Sequence, residues 1–205
     1  MKVNPIVLSL CDQTGVMVEP WLAAGHECWI VDVQHRDGKS RDGRLVRVGA
    51  DVRAWLPPRR EYVAAFAFPP CTHLANSGNR WKAGKGIGAL VEALALVEAC
   101  RRILEWTDAP WLLENPVGSL STYWRKPDYT FHPWHFGTPE VKRTCLWIGG
   151  GFVMPPYEAT TQPADVRERV WKMSPSEDRG DLRSVTDRNF AEAVCRSNCR
   201  QERVA

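Results

Sequence analysis

The sequence predicts an α/β fold, a mostly parallel sheet with helices on both faces. Three observations carry that expectation. Short apolar, β-branched runs alternate with helix-length segments about five times along the chain. Most of the runs stop abruptly at polar or proline-containing turns. The chain has 205 residues, 44% of them hydrophobic, enough to bury both faces of one sheet in a single domain spanning 1–205.

The elements follow in order. Ile6 to Leu10 is an apolar run of strand length that ends at the turn cluster Asp12-Gln13-Thr14-Gly15. Val16 to Ala24 has a helical pattern, with Gly25 where a helix stops. Cys28 to Val33 is a second strand, and the polar stretch 37–43, with two glycines, is expected to be a loop. Leu45 to Val48 is a third strand. A short helix is expected from Asp51 and must end before Pro57-Pro58. Tyr62 to Phe68 is the fourth strand, stopped by Pro69-Pro70. Residues 72–85 are rich in Asn, Gly and Lys and are expected to form a loop. Ile87 to Trp106 is the longest helix, apolar at 87, 90, 91, 94, 97 and 104. Trp111 to Leu113 is a fifth strand, cut off by Glu114-Asn115-Pro116. Thr144 to Ile148 is a further strand ended by glycines. Residues 151–185 are irregular and proline-rich, and Asp187 to Asn198 is a last helix with Thr186 as its expected cap.

Composition narrows the function classes. Lys and Arg number 27 against 24 Asp and Glu, a net charge of +3, so the chain is neither a polycation nor a highly charged disordered segment. No stretch approaches the roughly 18 apolar residues of a membrane span, and no secretory cleavage pattern follows the first apolar run; a cytoplasmic protein with no membrane partner is expected. The seven cysteines are dispersed without a CxxC pair, which points to free thiols in a reducing compartment. Ten tryptophans serve either a core or the stacking of bases.

Ligands of open parallel sheets bind beyond the carboxyl ends of the strands, so the polar residues there are the candidates. Gly15 opens a helix after the first strand, and Asp32 ends the second, where a carboxylate meets ribose hydroxyls in nucleotide sites. A plain strand-to-helix turn and an exposed Asp read equally well. Asp51 suits either an adenine amino group or a helix N-cap. Pro69 and Pro70 stiffen the exit of the fourth strand and fix Cys71, placed either as a nucleophile or as a buried structural cysteine. Glu114 is either a partly buried acid beside it or a solvent-facing turn residue. Lys142-Arg143-Thr144 and the basic, aromatic stretch around Arg80, Trp81 and Lys82 are either substrate-facing cations or solvated surface. A zinc site from His132, His135, Cys195 and Cys199 lacks finger spacing, so no metal is expected. A zinc deaminase is set aside because its H-x-E and P-C-x-x-C pattern is absent.

In order, these residues resemble the cytosine-C5 DNA methyltransferase family. Its pattern is a Gly-bearing first turn, an acid after the second strand, an Asp after the third and Pro-Cys after the fourth. Glu-Asn follows after the fifth, then an Arg-containing strand. The resemblance covers roughly residues 6–148. It implies a Rossmann-like methyltransferase fold that uses S-adenosylmethionine. The donor would be held by Leu10, Cys11, Asp12, Thr14, Gly15, Asp32, Val33, Asp51, Val52 and Pro69. It implies catalysis by Cys71, Glu114 and Arg143, with Pro70, Asn115, Ser77, Arg80, Trp81 and Lys82 on the substrate side. Cys71 would add to carbon 6 of cytosine while Glu114 grips the ring edge. The expected acceptor is cytosine in DNA; a free cytosine nucleotide and a silent binding module of the same fold are the alternatives. There are departures. Asp12-Gln13-Thr14 replaces glycine, and Pro116 replaces the commoner Val. Lys142-Arg143-Thr144 replaces paired arginines. From Arg143 to Ser184, in the loosely matched closing motif Ser184-Val185-Thr186, is 184 − 143 = 41 positions. That is too short for a usual target-recognition lobe, whose place 151–185 takes. A specificity partner or homo-oligomer would then supply what the lobe does.

Overall fold

The computed structural model describes residues 5–76, 79–157 and 185–199, together with positions 162, 164 and 166; residues 79–83 and 85 are described as backbone alone. The strands are β1 Ile6–Leu10, β2 Glu27–Asp42, β3 Leu45–Gly49, β4 Tyr62–Ala67, β5 Trp111–Pro116, β6 Tyr129–Phe131 and β7 Thr144–Gly149. The helices are α1 Glu19–Ala23, α2 Asn79–Trp106, α3 Leu120–Tyr123 and α4 Arg188–Asn198. Seven strands form one sheet in the order β3-β2-β1-β4-β5-β7-β6. Strands β1 to β5 pair in parallel, and β7 runs antiparallel between β5 and β6. The fold is the expected α/β, Rossmann-like arrangement with helices on both faces.

Burial on two faces explains the run-like strands. All five residues of β1 are buried. Ile6, Leu8 and Leu10 pack with Val97, Cys100, Ile103 and Leu104 of α2. Val7 lies on the other face in a core with Met17, Val18, Trp21 and, from α4, Phe190, Ala191 and Val194. Alternation along the strand thus sends neighbouring side chains into two separate cores. Trp21 is fully buried, and truncating such a side chain costs about 3–5 kcal/mol.

Several sequence expectations are corrected. Of the expected 37–43 loop, residues 37–42 belong to β2 and Gly43 to the turn after it. Residues Glu27 to Asp32 run parallel to β3, but the partners then reverse: Lys39 faces Val48, Arg41 faces Val46 and Asp42 faces Leu45. The chain therefore crosses the end of β3 and returns along its free edge. Gly49 makes that crossing possible, because a Cβ there would overlap the backbone of His35 and Arg36. After Asp51 there is one turn rather than a helix, with Ala54 and Trp55 N–H donating to the Asp51 carbonyl. Residues 79–85 are helical instead of loop, since Arg, Lys and Ala favour helix; Gly86, at φ 75°, breaks α2 into two segments. Ile87 and Val91 are exposed, so the apolar stripe of α2 narrows to 90, 94, 97 and 104. The helix α4 is capped by Asp187, not Thr186: its Oδ1 accepts the Phe190 N–H at 2.8 Å. Of 151–185, residues 158–161, 163, 165 and 167–184 lie outside the described residues.

Two glycine substitutions test this packing. Gly49→Ala is expected to lose about 1–3 kcal/mol from overpacking at the crossover. Gly88→Ala, in exposed helix with open space around it, is expected to gain about 0.5–1 kcal/mol. Urea unfolding midpoints of the two variants check both signs.

Candidate active site

Register places the strand exits on one edge. Leu10 pairs with Val31 and Ala67, Asp32 with Gly49, and Ala67 with Leu113. Pro116 pairs with Thr144, which pairs with Phe131. The loops after β1, β3, β4 and β5, the bend of β2 after Asp32, the entry to β7 and the exit of β6 therefore share the carboxyl edge of the sheet.

The first loop is shaped by Asp12. Its buried carboxylate accepts from Ser9 Oγ at 2.7 Å, Gly15 N at 2.7 Å and Thr14 Oγ1 at 3.4 Å. Burial pushes the Asp12 carboxyl above its ordinary range, and these bonds pull the other way. Asp12 thus folds the turn that glycines usually make, and Thr14 belongs to the same bonds. Gly15 sits at φ 73°, where a side chain is strained and would crowd Ile30. Cys11 has φ 52° and its Sγ lies 3.8 Å from that of Cys100. That contact, then burial, raises the Cys11 thiol well above its usual value.

Asp32 is buried and its Oδ1 accepts the Gln34 N–H at 2.8 Å. The next residue, Val33, is 66% exposed, an apolar side chain standing at the crevice. His35, which no motif flags, reaches back so that its Nε2 lies 3.1 Å from the Asp12 carbonyl and ties the first two loops together. Asp51 is engaged by its own turn. Arg53 Nε lies 3.0 Å from each carboxylate oxygen and Nη2 2.6 Å from Oδ2, while Nη1 pairs with Glu92 of α2. The guanidinium holds the Asp51 carboxyl below its ordinary range. Val52 is buried in the α2-side core.

The exits of β4 and β5 are laced together. Phe68 N–H donates to the Leu10 carbonyl at 3.0 Å, Pro69 is buried, Pro70 is exposed and Cys71 is half-buried. The Cys71 carbonyl accepts from Leu74 and Ala75 N–H, each at 2.9 Å, so the thiol starts a tight turn. Asn115, 1% exposed, donates from Nδ2 to the Pro69 carbonyl at 2.8 Å. Ala75 bridges Gly118, Asn76 N–H donates to the Val117 carbonyl and Ser119 N–H to that of Leu74. A Cβ on Gly118 would overlap the Leu74 carbonyl. The segments carrying Cys71 and Glu114 are thus neighbours held by three ties, the Asn115 side-chain bond and the two backbone bonds that make the Ala75–Gly118 bridge.

Glu114 has a buried Oε1 with no hydrogen-bond partner among the described residues. Burial pushes its carboxyl up, and the charge of Lys142 draws it down. Arg143, the cation expected beside the acid, is exposed; its charge acts on His132 and Cys145. Lys142 is the cation whose field reaches Glu114, a role the sequence order did not mark. Ser77 and Ser184 lie outside the described residues, and Arg80, Trp81 and Lys82 are placed as backbone of the first segment of α2. The expected zinc-capable pairs are apart. His132 and His135 lie past the exit of β6, whereas Cys199 lies at the far end of α4, 3.3 Å from His26. Among the described residues no group of three or more His, Cys, Asp or Glu is arranged to hold a metal ion, and no helix is long and apolar enough to cross a membrane.

No known family profile matches the chain, and no curated protein matches it by sequence. Among solved structures it is similar to a crystal structure of the glycopeptide N-methyltransferase MtfA, at 15% identity and a TM-score of 0.32, covering 58% of this chain and 50% of that one. A second structure of that protein, complexed with (S)-adenosyl-L-methionine, gives 15% identity and a TM-score of 0.30, covering 81% of this chain and 68% of that one. The chain thus spans half of the first structure's length.

The buried acid gives a signed pH prediction. A carboxyl raised by burial stabilises the fold below its ordinary value near 4.5, and that stability is lost as pH rises through the higher folded value. Glu114→Gln removes the cost of ionisation. Its thermal midpoint is therefore expected to gain on the wild type as pH climbs from 4.5 toward neutrality, and to show no gain below it.

Proposed function

We propose that the chain transfers a methyl group from S-adenosylmethionine to carbon 5 of cytosine, with DNA as the acceptor, through a covalent bond from Cys71. One observation supports it most. Glu114 keeps one buried oxygen without a partner among the described residues, on the strand next to the Pro69-Pro70-Cys71 turn, and Asn115 pins the two exits together. A buried acceptor or donor left open at the carboxyl edge of the sheet is suited to a ligand's polar edge.

The first three loops suit the donor. Gly15 lets a backbone approach at the first turn, buried Asp32 suits ribose hydroxyls, and exposed Val33 suits an adenine face. Leu10, Cys11 and Pro69 would line the same crevice between β1 and β4. Asp51 would reach adenine once Arg53 turns aside. Bound S-adenosylmethionine supplies an electrophilic methyl group.

The chain's own residues do the rest. The Cys71 thiolate forms a bond to carbon 6, and the ring's electron pair moves toward carbon 5, making it nucleophilic. Glu114, whose proton burial favours, would donate to ring nitrogen 3 and accept from the exocyclic amino group, stabilising the charge that develops there. After carbon 5 takes the methyl, a base acting through water removes its proton and the Cys71 sulfur leaves with its electron pair. Arg143 and Pro70 would contact the acceptor from the rim. A base in a duplex would have to be turned out of the stack to reach the thiol.

Incubation with labelled S-adenosylmethionine and a panel of DNA, RNA and cytosine nucleotides tests this reading. Label is expected on cytosine in DNA, and Cys71→Ser is expected to lower the rate about a thousandfold or more. Label on dCMP or dCTP in preference to polymer assigns the same chemistry to a free nucleotide. Donor binding without transfer to any acceptor identifies a silent module.

A further inference from the structure

The proposed acceptor side is bordered by a ring cluster that the reading above leaves unused. The exit of β6 leads into a short 3-10 turn, Pro133–Phe136, on the same edge as Glu114. His132 and Trp134 stack at 6.0 Å and 20°, Trp134 meets His135 edge-on at 4.0 Å, and His135 stacks on Tyr157 at 4.4 Å and 11°. Phe131 and Phe136 from the same segment turn inward onto Phe190 of α4 and belong to the core. The four other rings are not core: His132, Trp134 and His135 are half-buried, and Tyr157 is 37% exposed. Two buried ring nitrogens, His132 Nδ1 and Trp134 Nε1, have no hydrogen-bond partner among the described residues, which leaves them open to a ligand's polar groups. Burial holds both imidazoles below their ordinary range, so they are uncharged rings at neutral pH. The positive charge comes from exposed Arg143, close enough for its field to act on His132.

We propose that His132, Trp134, His135 and Tyr157, with Arg143, form a stacking subsite for the nucleotides of a single DNA strand next to the target cytosine. The rings offer faces to bases of any sequence, and Arg143 meets the phosphates. Two strand spacings of about 4.8 Å separate β5 from β6, and His132 lies three residues, about 10 Å, beyond Tyr129, which is level with Glu114 through Leu146; the platform therefore begins about 14 Å from Glu114, near the rise of four stacked nucleotides. A subsite built this way gives strand binding without a separate recognition lobe and with little sequence preference. It rests on the reading of the Cys71 edge as the acceptor site.

Fluorescence anisotropy of the full chain with a dye-labelled oligo-dT strand tests the subsite without needing any methyl transfer. Wild type is expected to bind, Tyr157→Ala to weaken binding about tenfold, and Tyr157→Phe, which keeps the ring, to stay within about twofold. Arg143→Gln is expected to reduce the slope of log affinity against log salt by about one. That slope decides the matter even if Tyr157→Ala fails to fold. No oligo-dT binding by wild type, or Tyr157→Ala and Arg143→Gln both behaving as wild type, overturns the subsite. Loss of strand binding in Tyr157→Ala with no methylation of any substrate keeps the subsite and sinks the proposed reaction. Methylation of dCMP without strand binding does the reverse.

Discussion

The hydrogen bond from Asn115 Nδ2 to the Pro69 carbonyl is the constraint on which the rest of the edge depends. Proline exits carry no N–H of their own, so the turn after β4 cannot be held by its own ladder. A fully buried amide from the next strand supplies the missing tie. The Ala75–Gly118 bridge and the bonds around Leu74 and Asn76 extend it into a small interlocked patch. Without that lacing, the loop carrying Cys71 would be independent of β5 and its Glu114, and bringing the two side chains together would carry a large ordering cost.

Seven cysteines are present, and burial separates them. Cys28, Cys100, Cys145 and Cys195 are buried. Burial raises the thiols of Cys28 and Cys145, and pushes that of Cys195 up to about 12. Cys11 is raised by its contact with Cys100. The thiols of Cys11, Cys28, Cys145 and Cys195 thus stay protonated and inert at neutral pH. Cys71 differs by position, half-buried after two prolines on the carboxyl edge of the sheet, where open α/β sheets generally take their ligands.

Much of the fold was legible because double-sided burial writes continuous apolar runs. β1, β3 and β4 stand where Ile6 to Leu10, Leu45 to Val48 and Tyr62 to Phe68 indicate. The return half of β2 was not legible: it is an exposed edge strand of Arg, Lys, Asp and Gly, with no apolar face to announce it. β6 has three residues, too short for periodicity. In the site, Gly15, Asp32, Cys71, Glu114 and Asn115 were legible from their places at strand ends. His35 and Lys142 were not, because their roles arise from loops meeting in space. The engagement of Asp51 by Arg53 is a local pair that the motif order passes over, although the two residues stand two apart.

The account centres on a bond between one sulfur and carbon 6 of a cytosine. An oligonucleotide carrying 5-fluorocytosine tests that bond directly, since fluorine at carbon 5 cannot leave as a proton does and the adduct persists. Intact-mass measurement after incubation with this oligonucleotide and S-adenosylmethionine is predicted to show one covalent complex, mapped by peptide analysis to Cys71 and absent in Cys71→Ser. Methyl transfer to cytosine that continues in Cys71→Ser, or an adduct on another residue, would contradict it.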